Sequence, residues 1–297
     1  MTSFRSMGPL IRKPQKMTSH QPKRPARVKH LATKISVFGV VISVLGITSI
    51  VPSTSFAQSA NKTRATDSSP ITVEAAEFLE WNQDEGTYIA KGKAFVHQSE
   101  TSIKAGHIIA RYNTSGKTRN INHFIATGEV TYVEGENTAK GDKLDYDLAA
   151  SFYILTGKNV SVAGPQGIMT ATKSITYDAA EDANRKVTAT GKARYKNNDG
   201  RIVFGDKLIA FIAADGTLKT IDAYENTKVV TASGTEATGD KLNYVASTAL
   251  ANLDGNVEII DGDNVMRGDK AKIDFDKKIS RIISRPGGER VSGTLTP

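Results

Sequence analysis

The sequence predicts an all-β chain, a stack of short two-faced strands arranged as repeated pairs. Three observations lead there. Gly-Asp-Lys-Leu-Asp-Tyr-Asp at Gly141–Asp147 returns from Gly205, Gly239 and Gly268, with looser copies from Gly106 and Thr172. The steps between copies are 35, 31, 33, 34 and 29 residues, and a period near 33 marks a stack of similar supersecondary units. About 14 residues before each copy runs a shorter signal of glycine followed by alternating apolar residues: Gly92-Lys-Ala-Phe-Val96, Gly128-Glu-Val-Thr-Tyr132, Gly157-Lys-Asn-Val160, Gly191-Lys-Ala-Arg-Tyr195 and Gly255-Asn-Val-Glu-Ile259. Between these signals lie clusters of turn formers, such as Gly164-Pro-Gln-Gly167, Asn197-Asn-Asp-Gly200 and Asp261-Gly-Asp-Asn264.

Residues 1–57 read as a secretory leader. They hold nine of the 39 Lys and Arg and none of the 31 Asp and Glu, followed by an uncharged run from Ile35 to Val51 and a small-x-small end at Ser55-Phe-Ala57. Cleavage after Ala57 exports the body; a retained membrane anchor is the rival reading, since the run lies at the short limit for spanning a bilayer. Residues 58–70 are polar and read as a flexible linker. The ordered domain is expected over 71–283. It opens with Ile71-Thr-Val73 and Phe78-Leu-Glu-Trp81, a half-repeat that closes one end, with Trp81 as a cap over the first unit. Only Asp178–Arg185 has helical composition, and it is too short for a stable helix. In the fifth unit Asn226 is read as replacing the glycine, with Val229 and Val230 one residue late. Residues 284–297 read as a flexible tail, whose Arg285 and Arg290, with Arg281 just before, are solvated or meet an acidic head group.

Alternation sets the faces. Tyr88, Ala90, Gly92, Ala94 and Val96 share one side of a strand, as do Val187, Ala189, Gly191, Ala193 and Tyr195. That face is apolar and small at its centre; the other carries Lys, Thr, Glu, Asn and Asp. Such a sheet must close on a second sheet or curl around itself. Glycines in mid-strand mark bends, bulges or close approach. Asp142, Asp206, Asp240 and Asp269 follow such glycines on the side expected to face inward, where an aspartate can fix a corner through backbone N–H groups.

Several chemistries are excluded. Without the leader, 30 basic and 31 acidic residues remain, so there is no electrostatic footprint for nucleic acid. The chain contains no cysteine, hence no disulfide or thiolate site. His97, His107 and His123 lack metal-ligand spacing, and no nucleophile elbow or phosphate loop is present. No catalytic residue, metal site or cofactor is expected, and no enzymatic activity.

Taken together, the half-repeats Gly-x-Val-x-apolar and Gly-Asp-x-Leu-x-Tyr, the leader, and Pro70-Ile-Thr-Val-Glu-Ala-Ala-Glu77 resemble the LptA / OstA-like family of periplasmic lipopolysaccharide export proteins. The resemblance covers about residues 70–283. Departures are the fifth unit and the missing aspartates at His107 and Lys173. It implies an open-ended OstA-like β-jellyroll of folded-over antiparallel sheets, a periplasmic location, and lipid A acyl chains carried along an apolar interior. It also implies head-to-tail bridging between the membranes, by edge-strand addition to copies of itself or related proteins, including inner-membrane LptC-like and outer-membrane LptD-like partners. The expected acyl-chain lining is Val96, Phe124, Ala126, Val130, Tyr132, Leu144, Tyr146, Leu155, Ile175, Tyr177, Ala189, Leu242 and Tyr244. About ten strands per sheet, each adding ~4.8 Å, make a groove on the order of 50 Å, and Ala90, Ala94, Ala126, Ala189 and Ala193 are expected to leave room in it. The alternatives are a membrane-anchored LptC-like component that receives lipopolysaccharide from a transporter, and a secreted β-repeat protein with a dry core.

Overall fold

A computed structural model describes residues 70–114, 119–179, 185–288 and 290–296. The leader 1–57, almost all of the linker 58–70, and the centre of the Asp178–Arg185 segment lie outside the described residues.

Two-faced sequence becomes long antiparallel strands. They are β3 (Thr87–Gln98), β4 (Thr101–Tyr112), β5 (Ile121–Glu134), β6 (Asn137–Asp147), β11 (Arg185–Asn197), β12 (Ile202–Ile212), β13 (Leu218–Val230), β14 (Glu236–Val245), β15 (Leu250–Asp261) and β16 (Asn264–Asp274). In the middle of the chain two such strands are each broken in two, giving β7 (Phe152–Thr156) with β8 (Val160–Gly164), and β9 (Gly167–Ala171) with β10 (Ser174–Asp178). The edges are broken the same way. β1 (Thr72–Glu74) and β2 (Phe78–Asn82) both pair with β3, while β17 (Ile279–Ile283) and β18 (Ser292–Thr294) both pair with β16. Residues 284–297, expected as a loose tail, therefore carry a paired strand. Val265 and Met266 of β16 offer β18 a ladder that β17 does not reach.

Every second long strand, β3, β5, β11, β13 and β15, bends at a bulge carrying two consecutive left-handed residues. The pairs are Gly92/Lys93, Gly128/Glu129, Gly191/Lys192, Glu225/Asn226 and Gly255/Asn256, with φ between 42° and 88°. Glycine is favoured at the first position because a Cβ there is strained. The fifth unit is thus in step with the others. Glu225, not Asn226, stands in the glycine position, and Thr227 and Val229 take the places held elsewhere by Val130 and Tyr132. Sequence alone misplaced the register because both residues at that corner are non-glycine.

The bulges divide the sheet into two leaves. The first leaf holds β2, β7, β10, β17 and, on the same side of the corners, the segments of the long strands that contain Ala90, Ile108, Ala126, Leu144, Ala189, Leu208, Ala223, Leu242, Leu253 and Ala271. The second holds β1, β8, β9, β18 and the segments beyond the corners, which contain Val96, Ile103, Tyr132, Ala139, Tyr195, Val203, Val229, Ala237, Ile259 and Met266. Their inner faces share one hydrophobic cluster, so the sheet is folded over on itself. Each bulge sets one extra residue against its neighbour, as where Lys91 pairs with His107 but Ala94 with Ala105.

The same corner overturns the inward placement of the aspartates. In β6, Ala139 and then Leu144 and Tyr146 point inward, so alternation changes phase between Gly141 and Leu144 and Asp142 falls outside. Asp142, Asp206, Asp240 and Asp269 instead fasten the corner of the following strand. Asp142 accepts from Lys158 N (3.1 Å), Asp206 from Asn226 Nδ2 (2.6 Å), Asp240 from Asn256 Nδ2 (3.0 Å) and Asp269 from Arg285 N (2.7 Å). Arg285 also pairs with Asp254, which occupies it on the outer wall.

Candidate lipid-binding interior

In-register pairing converts alternation within strands into rows that cross the whole sheet. On the first leaf one row runs Leu79, Ala90, Ile108, Ala126, Leu144, Leu155, Ile175, Ala189, Leu208, Ala223, Leu242, Leu253, Ala271, Ile282, each residue directly opposite the next. A parallel row runs from Trp81 through Tyr88, Phe124, Tyr146, Tyr153, Tyr177 and Tyr244 to Ile273. On the second leaf Val73, Val96, Ile103, Tyr132 and Ala139 begin a row that reaches Ile259 and Met266. At ~4.8 Å per strand the rows extend about 60 Å. Cross-strand pairing of this kind is the unit from which a sheet face is stabilised.

The structure gathers all thirteen residues expected to line the interior, twelve in these rows and Val130 opposite Gly141 at the corner. Eleven of them are buried, and Val96 and Tyr146 are partly buried against the same cluster. Rows across neighbouring strands were beyond sequence reasoning, because pairing depends on the bulge positions.

The space between the leaves is uneven. At the N-terminal end an apolar cavity of about 350 Å³ opens between Val73, Val96 and Ile103 of the second leaf and Leu79, Trp81, Ala90 and Phe124 of the first. An apolar cavity of about 150 Å³ already holds benzene. A smaller cavity of about 110 Å³ lies near mid-chain, among Tyr153, Tyr177, Val187, Met169 and Tyr195. Elsewhere the leaves meet: Ala126 and Ala189 have 0% exposure and Ala94 and Ala193 1%. No solvent-sized room is left beside these four alanines, whereas Ala90 lines the N-terminal cavity.

Aromatic rings form a ladder along the first leaf. Phe124 meets Tyr146 edge-on at 5.3 Å, Tyr146 meets Tyr153 at 6.0 Å, and Tyr153 stacks on Tyr177 at 5.2 Å. Burial, reinforced by the neighbouring phenols and Glu134, pushes the Tyr132 and Tyr153 phenols well above their usual value, and burial pushes Tyr195 up as well. These rings are neutral, apolar walls at any physiological pH. Trp81 is half exposed on the edge strand, stacked on Tyr88 at 5.7 Å; its Nε1 donates to Tyr112 Oη at 2.9 Å, and Arg119 lies 4.6 Å over its ring. His123 is held by Asp145 at 2.7 Å on the outer face. Among the described residues no group of three or more His, Cys, Asp or Glu is placed to hold a metal.

Exposed large apolar side chains gather at the two open edges. Val73, Phe78, Leu79 and Trp81 lie at one end and Ile279, Ile283, Val291 and Leu295 at the other, with Leu79 57% and Leu295 74% exposed. Among the described residues β1 and β2 pair only with β3, and β17 and β18 only with β16, so both edges present unpaired backbone there.

The family model described as LptA/(LptD N-terminal domain) LPS transport protein matches residues 72–183 and 178–279. Among solved structures, LptH, the LptA homologous periplasmic component of the conserved lipopolysaccharide transport device from Pseudomonas aeruginosa, is 14% identical; the match covers 78% of this chain and 98% of that one, with a TM-score of 0.22. No curated protein matches the chain.

Proposed function

The chain belongs to the LptA/LptD N-terminal-domain family of LPS transport proteins, and on that premise we propose that it is an exported, non-enzymatic carrier of lipopolysaccharide in the periplasm. In this reading lipid A acyl chains lie between the leaves, along the rows that contain Val96, Phe124, Leu144, Leu155, Tyr177 and Leu242. Copies of the chain, or LptC-like and LptD-like partners, add head to tail at the two edges and so bridge inner and outer membranes. The observation that carries the reading is the continuity of the apolar row from Leu79 on one edge strand to Ile282 on the other, flanked by two rows that run from the first edge to Ile273 and Met266 of β16. Each acyl CH₂ removed from water contributes ~0.8 kcal/mol, and a row that continues into the next molecule keeps that gain along the whole path. Heterologous edge pairing that does not close on itself builds a filament.

The closed middle favours one rival, a structural β-repeat protein with a dry core, because Ala126 and Ala189 are sealed. Photo-crosslinking to lipopolysaccharide from Val130 or Leu144 separates the two. Adducts at these buried positions support the carrier. Their absence, with adducts absent also at Val96 beside the open cavity, refutes it.

A further inference from the structure

The fold has a closed back and a slit. The bulges join the leaves along one side, and on the opposite side the strand-connecting turns of the two leaves face each other. Among the described residues, two sets of bonds tie such turns together across the slit. At the first, Gln166 at the tip of the β8–β9 hairpin reaches the β12–β13 turn of the other leaf. Its Nε2 donates to Gly216 O at 3.0 Å and its Oε1 accepts from Leu218 N at 2.8 Å. The hairpin tip is itself anchored, since Tyr195 Oη donates to Gln166 O at 2.7 Å and Asn198 Nδ2 to Pro165 O at 2.6 Å. The mid-chain cavity lies directly beneath, lined by Gln166, Gly216 and Leu218. At the second, Arg201 on the β11–β12 turn donates to Tyr244 Oη at 3.2 Å, lies 3.6 Å from Asp276 and sits 5.2 Å over the Phe275 ring, all on the first leaf.

An amphiphile with its chains between the leaves must keep its polar head group in water, and the slit is the way out for that group. Moving along the interior therefore carries the head group past each tie. We propose that Gln166 and Arg201 are latches on this slit, opened one after the other as the head group passes, so that the structure is the latched state of the carrier. The inference rests on the carrier reading above. It adds that the interior between the latches is reachable only when they open. Hydrogen bonds and an exposed ion pair suit this role: together they hold the closed state, and singly each is weak enough for thermal opening. The sealed middle follows from the same idea, since the leaves collapse on each other where no chain separates them.

The absence of native cysteine makes the test direct. In the full chain, Gln166→Cys with Thr217→Cys, and Arg201→Cys with Asp276→Cys, are joined by a short reducible thiol-reactive linker. A diazirine leucine analogue at Leu242, on β14 two residues from the Tyr244 that Arg201 holds and beside the β13 strand whose first residue Gln166 holds, reports lipopolysaccharide reaching that segment. With both linkers closed the adduct at Leu242 is expected to fall at least tenfold and to return on reduction, while quenching of Trp81 by a brominated acyl chain at the open N-terminal cavity is unchanged. An adduct at Leu242 that is equally strong with both linkers closed overturns the latch and leaves the carrier standing. No adduct at Leu242 and no Trp81 quenching in the unlinked protein overturns the carrier reading, and the latch with it.

Discussion

The corners of the sheet give one position the opposite sign in two repeats. Glu225 and Gly255 both occupy the first left-handed site of a bulge, at φ 59° and 81°. A non-glycine residue there costs about 1–2 kcal/mol, against ~0.5–1 kcal/mol of extra chain entropy that glycine loses on folding. Glu225→Gly is therefore expected to stabilise the protein by about 0.5 kcal/mol. Gly255→Ala meets the same strain and a collision besides, because a Cβ at Gly255 runs into the Asp240 carboxylate. Moving that carboxylate breaks its bonds from Asn256 Nδ2 at 3.0 and 3.2 Å, worth about 1 kcal/mol. The smaller entropy of the unfolded alanine chain returns ~0.4–1 kcal/mol, leaving a loss of about 2 kcal/mol. For a domain of this size ~1 kcal/mol moves the midpoint by about 2–4 °C. Thermal melting followed by circular dichroism should place Gly255→Ala about 4–8 °C below the parent and Glu225→Gly about 1–2 °C above it. A Glu225→Gly variant that melts several degrees lower, or a Gly255→Ala variant that melts with the parent, refutes the assignment of these corners.

Leu155, fully buried on β7 between Leu144 and Ile175, should cost about 2–5 kcal/mol when cut to alanine, read as a lower urea midpoint with unchanged slope. Burial and the neighbouring Tyr177, Tyr146 and Glu134 raise the Tyr153 phenol pKa, so its contribution is intact below about pH 10 and is lost as pH rises toward the folded value; Tyr153→Phe should shift alkaline unfolding to higher pH relative to its own stability at neutral pH. For Asp145, burial alone would raise the carboxyl pKa, but bonds from His123 and Lys143 outweigh it and hold it below the usual range. That contribution is present above about pH 4 and lost as pH falls through the depressed value, so the stability gap between the parent and Asp145→Asn should close on acidification. Leu79→Arg and Ile283→Arg each spoil one edge; if association is head to tail, sedimentation of a mixture should show dimers only, whereas filaments in the mixture would place the contact elsewhere.

Composition and order of residues settled the class of this molecule. Alternation at Ala90, Ala94 and Val96, or at Leu144 and Tyr146, is local and follows from the two-residue period of any strand, so the apolar face was readable directly. The period near 33 residues fixed the repeat, and the absence of cysteine and of metal-ligand spacing removed whole kinds of chemistry. The tertiary structure decided what depends on a single residue at a corner. One extra residue at each bulge reverses the phase of alternation, which turns Asp142 and its counterparts outward and brings Glu225 into the glycine position. It also decided which distant turns meet: Gln166 finds Leu218 and Arg201 finds Asp276 only because the sheet folds over at those bulges. Backbone angle at a few corners sets the fold of the whole sheet, and that angle is a property of packing as much as of residue type.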